Sequence, residues 1–88
     1  MSRALTLSRP AIYDRAMLEM GQVVCAPNVF SAVTSEQLGE YRKQHRATHA
    51  GKSAKYGEWF ISEFRLPSGK TLHIQTEYNC KSSFIKIL

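Results

Sequence analysis

His45 and His49 stand one helical turn apart in "EYRKQHRATHAGKSAKYGEW", residues 40–59, and His73 completes the three histidines of the chain. Imidazole changes charge near neutral pH, so each can serve as acid, base or metal ligand. Metal-free RNA cleavage needs a base for the 2′-hydroxyl, an acid for the leaving oxygen and a cation for the developing phosphorane charge. His45, His49, His73, Glu63 and Glu77 are the groups available for proton transfer, and Arg42, Arg65 and Lys70 for the cation. His73, Glu63 and His45 are the leading catalytic candidates, because His73 and Glu63 fall on one strand face with Glu77. The competing reading is a polar sheet face on which Glu63 and His73 pair across strands.

The same His45 and His49, with Cys25 and Cys80, have the ligand types of a Cys₂His₂ zinc site. Each cysteine is isolated rather than one of a close pair, which fits no standard finger. The expectation is therefore free thiols packed as small hydrophobes, with no metal and no cofactor.

Charge points elsewhere. Arg42, Lys43, Arg46, Lys52 and Lys55 carry five positive charges in a window without an acid, and the rest of the chain cancels to leave the net +5. Such a concentration favours an anionic partner and argues against an acidic mimic of DNA. Tyr41 and Tyr56 in the window, and Trp59 beside it, could stack on bases, which suits RNA or single strands better than a duplex groove. The expected function is a small basic domain that binds RNA or single-stranded nucleic acid through segment 41–57. The expected contacts are Arg42, Lys43, Arg46, Lys52, Lys55, Tyr41 and Tyr56. Two alternatives stand beside it: a protein-binding inhibitor of a nucleic-acid-processing enzyme, anchored by Trp59 and Ile61, and a metal-free ribonuclease.

The elements that must position these residues are legible in part. In "SRPAIYDRAMLEMGQ", Ser8 suits a cap, Pro10 a first turn and Gly21 a stop, with Ile12, Ala16 and Met20 as an apolar stripe, so a first helix is expected there. "RALTL" reads as an opening strand or arm, "QVVCA" as a strand ended by Pro27, and "NVFSAV" as either strand or helix. Thr34 with Gln37 makes a capping box, stapled by Val33 and Leu38, and predicts a second helix from about Ser35 to about Ala50. It places Leu38, Tyr41, His45 and His49 on one side, with Arg42 at the edge, while Lys43, Arg46, Lys52 and Lys55 face solvent.

In "EWFISEFRLPSGKTLHIQTEY", two β-rich runs flank "LPSGK", whose Pro and Gly suit a three-residue hairpin loop with a left-handed glycine. That register pairs Phe64 with Leu72, Ser62 with Ile74 and Phe60 with Thr76. It gathers Phe60, Phe64, Leu66, Leu72 and Ile74 on one face, with Trp59, Ile61, Glu63, His73, Gln75 and Glu77 on the other. "SFIKIL" adds a third strand. The expectation is one α+β domain over 1–88: two helices packed on an antiparallel three- to four-stranded sheet, in the order helix, strand, helix, meander. Helices ahead of an antiparallel sheet form an order similar to that of small barnase-like ribonucleases. The arginines of "MSRALTLSRP", the absence of a membrane-length apolar run and the two unpaired cysteines suggest a reducing, cytoplasmic setting and no membrane contact.

Overall fold

Three residues, Pro67, Ser68 and Gly69, organise the middle of the molecule. Proline presets the first turn position, and Gly69 takes the left-handed backbone at φ 91° that a side chain would resist. The Gly69 N–H donates to the Leu66 carbonyl at 2.9 Å and the Leu66 N–H to the Lys70 carbonyl at 2.8 Å, closing the turn. The strands on either side then pair as expected: Phe64 with Leu72, Ser62 with Ile74, Phe60 with Thr76 and Glu63 with His73.

The computed structural model describes residues 17–88. Their elements are β1 (Gln22–Cys25), α1 (Val29–Ala32), α2 (Ser35–Thr48), β2 (Trp59–Arg65), β3 (Thr71–Glu77) and β4 (Ser82–Ile87). Together they make an α+β fold on a four-stranded sheet in the order β1-β4-β3-β2. The β2–β3–β4 part is the antiparallel meander, whereas β1 runs parallel to β4, so the sheet is mixed rather than antiparallel. This corrects the expected purely antiparallel arrangement, and the cause is non-local. β3 is flanked by β2 and β4, so β1 can join only an outer edge, and it takes that of β4, where backbone bonds from Gln22 to Lys81 and from Ala26 to Ile85 bracket the ladder. Gly21 enables this entry. It sits at φ 63°, and a Cβ there would lie 2.3 Å from the Lys81 carbonyl oxygen.

The expected "RALTL" strand and most of the expected first helix lie outside the described residues. Met17–Met20, the end of that helix by expectation, are neither helix nor strand. Leu18 is clamped to α2 instead: its N–H donates to the Arg46 carbonyl at 3.1 Å, and its carbonyl accepts from Arg46 Nε at 2.8 Å. The ambiguous "NVFSAV" resolves as the single turn of α1.

The capping box of α2 is present in both halves, Thr34 Oγ1 accepting from the Gln37 N–H and Gln37 Oε1 from the Thr34 N–H. The hydroxyl and amide satisfy donors that a helix start leaves without partners. Val29, Val33 and Leu38 are buried with Met20, Leu66, Leu72, Ile74 and Ile85 in one core between the helices and one face of the sheet. The opposite face exposes Val24, Trp59, Ile61 and Phe84. No helix among the described residues is long and apolar enough to cross a membrane.

Candidate nucleic-acid interface and the buried histidine network

The cationic segment follows the outer side of α2 and the loop after it. Arg42, Lys43 and Arg46 line an open groove of about 350 Å³ with Met17 and Gly39. A helix brings residues at i and i+4 together, so Arg42 and Arg46 flank this groove for geometric reasons. Gly39 leaves its floor clear, since a Cβ there would meet nothing within 4 Å. Lys43, Lys52 and Lys55 are exposed and Arg42 and Arg46 half-buried. Arg46 departs from the expected solvent-facing position, because its Nε holds Leu18. Its Nε–H is spent on the Leu18 carbonyl, so Arg46 serves as a clamp as well as a wall of the groove. The Tyr41 ring lies 4.8 Å from that of Phe64, so part of its stacking surface is already used, while Tyr56 is 86% exposed.

On the inner side of the same helix, His45 is fully buried. Its Nδ1 lies 2.6 Å from Ser62 Oγ and its Nε2 2.9 Å from Thr76 Oγ1. Thr76 Oγ1 lies 2.7 Å from Ser83 Oγ, which donates to the Met20 carbonyl at 2.7 Å. His49 Nε2 meets the Ile61 carbonyl at 3.1 Å and Ser62 Oγ at 3.2 Å. The proton order follows from the two carbonyl ends, which only accept. Ser83 spends its hydrogen on Met20, so Thr76 must donate to Ser83, and His45 Nε2–H must donate to Thr76. At the other end His49 Nε2–H donates to Ile61 and Ser62, and the Ser62 hydroxyl donates to the bare Nδ1 of His45.

Both ring nitrogens of His45 and the hydroxyls of Ser62, Thr76 and Ser83 are matched with His45 neutral. Burial, reinforced by the neighbouring His49, holds the His45 pKa down at about 4. Burial also lowers that of His49, against the bond to Ile61 and with the help of nearby Lys52. A buried imidazolium would lose the Ser62 donor bond as well as its solvation. His45 itself has no solvent-exposed surface, so of the three catalytic candidates it is the one that the fold encloses completely. Sequence reasoning missed Ser62, Thr76 and Ser83. The available signal was two hydroxyls, Ser62 and Thr76, at core-facing positions opposite a histidine on the helix's apolar side.

His73 projects from the opposite sheet face, as expected, yet it is only 8% exposed because it stands on central strand β3 between Glu63 and Lys86. Its Nδ1 lies 3.0 Å from Glu63 Oε2 and its Nε2 2.8 Å from Gln75 Oε1. The expected convergence of Glu63 and His73 is therefore present. An in-line cleavage places acid and base on either side of the scissile phosphate. At 3.0 Å these two groups bond each other instead, which matches the cross-strand pairing alternative.

The zinc grouping does not assemble. Both ring nitrogens of His45 are engaged, and Cys25 and Cys80 sit at opposite ends of the β1–β4 ladder. No group of three or more His, Cys, Asp or Glu residues placed to hold a metal occurs among the described residues. Both thiols are free, and burial, then nearby Glu19, pushes the Cys80 thiol pKa up.

No protein-family model, curated protein or solved structure matches this chain.

Proposed function

We propose that the domain binds RNA or other single-stranded nucleic acid through the cationic segment 41–57. The observation that carries this reading is the open groove shared by Arg42, Lys43 and Arg46, continued by exposed Lys52 and Lys55. None of these five enters an ion pair among the described residues, where His73–Glu63 is the sole pair. Unpaired surface cations attract phosphates and release counterions on contact, and exposed Tyr56 offers a ring on which a base can stack.

The test is salt-dependent binding to mixed pools of RNA and single-stranded DNA. Because Arg46 also clamps Leu18, the charge reversal is made at Lys43, Lys52 and Lys55, all to Glu. Wild-type affinity should fall steeply with salt. The triple variant should bind at least roughly tenfold more weakly at low salt, with a slope in log–log form shallower by about 2, given ~0.7 per phosphate contact on single strands. Wild-type protein without salt-sensitive binding to either pool ends the proposal.

A second reading draws on Val24, Trp59, Ile61 and Phe84, exposed together on the sheet face opposite α2. Exposed apolar patches of this kind mark protein contacts. Under it the domain inhibits a nucleic-acid-processing enzyme, and Ile61→Lys abolishes the inhibition. A panel of nucleases and polymerases that all run unhindered beside the wild-type protein would sink this reading.

A further inference from the structure

At the end of the sheet where β2 begins and β3 stops, Tyr56, Trp59 and Tyr78 wall a cleft of about 170 Å³. We propose that this cleft binds a methylated ammonium group.

The register brings the walls together. Trp59 pairs with Glu77, so both side chains leave the sheet on the same face, and Tyr56 and Tyr78 arrive from the turns immediately outside the two strands. The Tyr56 and Tyr78 rings lie 5.1 Å apart at 56°, forming a corner rather than a stack. Trp59 makes the third wall and is braced from β4 by Phe84, whose ring is 6.0 Å away at 62°. Tyr56 is 86% exposed, so its ring is free to receive a ligand.

Charge selects the ligand. Among the described residues, the charged side chains that line the cleft are both acidic, Glu58 and Glu77, in a protein whose net charge is +5. Glu58 is held in place, its Oε1 accepting from the Lys55 N–H at 2.8 Å. Neither carboxylate joins an ion pair among the described residues. Aromatic faces attract cations through the ring quadrupole, and two carboxylates add attraction of the same sign. A primary ammonium must keep three N–H groups hydrogen-bonded, and the ring faces add no oxygen acceptor to the two carboxylates, so part of its lost hydration is not replaced. A methylated ammonium has fewer N–H groups to satisfy, and its methyl groups pack on the rings. The shared chemistry has two sources, the side chain of trimethyllysine and the choline head group.

Trp59 is the single tryptophan of the chain, so its fluorescence reports on the cleft alone. The full chain is titrated with N-acetyl-trimethyllysine amide, choline, the neutral tert-butyl isostere of choline, unmethylated N-acetyl-lysine amide and uridine. The proposal expects a saturable Trp59 response to at least one methylated ammonium, with the better of the two naming the source. The isostere, the unmethylated lysine and the nucleoside should bind at least roughly fivefold more weakly, and Tyr56→Ala and Glu77→Gln should each weaken the cation by about three- to thirtyfold, the range of one cation–π or charge contact. Tyr56 is so exposed that its removal leaves the fold intact, which a far-ultraviolet circular dichroism spectrum verifies. The absence of a saturable response, or equal binding of the isostere, the unmethylated lysine or uridine, overturns it.

Discussion

His45 and His73 lie on opposite faces of one sheet, both buried, and they solve the burial of an imidazole in different ways. His45 is held between two hydroxyls, each of which can donate or accept, and the carbonyls at the ends of the chain impose a single proton order. His73 is held between a carboxylate and an amide oxygen, both acceptors, so a neutral ring can donate to only one of them at a time. The Glu63 side chain of that second pair is 53% exposed. Water can take over at Glu63 where His73 is lost, whereas behind His45 Thr76 and Ser83 are fully buried and Ser62 is half-buried. The difference teaches that a histidine's usefulness for chemistry depends on what solvent can reach behind it. The His45 side holds the molecule together, and the other side, with its exposed rings, meets the surroundings.

The largest expected effect breaks this contrast directly. His45→Ala opens a cavity under α2, leaves the fully buried Thr76 acceptor unmatched and deprives Ser62 of its acceptor, at a cost of roughly 3–5 kcal/mol. His73→Ala should cost only about 1–2 kcal/mol, because Glu63 regains water. Urea denaturation at neutral pH measures both. Equal midpoints for the two variants would mean that the network carries no more weight than the surface pair.

Acid provides the next effect. His45 titrates near 6.5 in the unfolded chain and near 4 in the folded one. Above about pH 6.5 both forms are neutral and the stability is complete. As pH falls toward 4 the unfolded chain takes up a proton that the native protein refuses, so stability drops by roughly 3 kcal/mol, with no further loss from this group below 4. His49 adds loss of the same sign. In His45→Leu the slope of stability against pH between about 4.5 and 6.5 should be shallower by up to about 1.4 kcal/mol per pH unit. Parallel curves for wild type and variant would show that His45 is not held neutral.

How much of this was legible follows the distance over which each signal acts. The hairpin register and the α2 capping box are written within a few residues, "LPSGK" and "TSEQ", so local turn chemistry sufficed. The apolar face of α2 was equally plain in Leu38, Tyr41 and His45. The parallel placement of β1 was not, because a four-residue strand carries no mark of its partner or direction. The His45 network depends on hydroxyls from three strands, and Ser83 joins it only once β4 lies beside β3. The cationic segment was visible as charge, but the clamp of Arg46 on Leu18 needed the course of residues 17–20. The aromatic cleft was missed for the same reason: Tyr56 and Tyr78 are 22 positions apart and meet only when β2 and β3 pair.

The smallest effect concerns the turn that assigns each histidine its face. In the observed register Ser62 and Thr76 point toward His45 and Glu63 toward His73, and a slip of one residue would exchange the two sets. Gly69 holds that register through its left-handed backbone, while a Cβ there would meet nothing within 4 Å. The cost of Gly69→Val is therefore conformational rather than steric contact with neighbours, roughly 1–2 kcal/mol for a β-branched residue at positive φ. Gly21→Val should cost more, since its Cβ would also collide with the Lys81 carbonyl. Denaturation midpoints for the two variants give the order. If the turn merely relaxes, Gly69→Val keeps the His45-dependent pH slope and loses only its midpoint, because the register and the network both survive. A variant that loses the slope as well has slipped, and the assignment of the two histidines to opposite faces then rests on this one glycine.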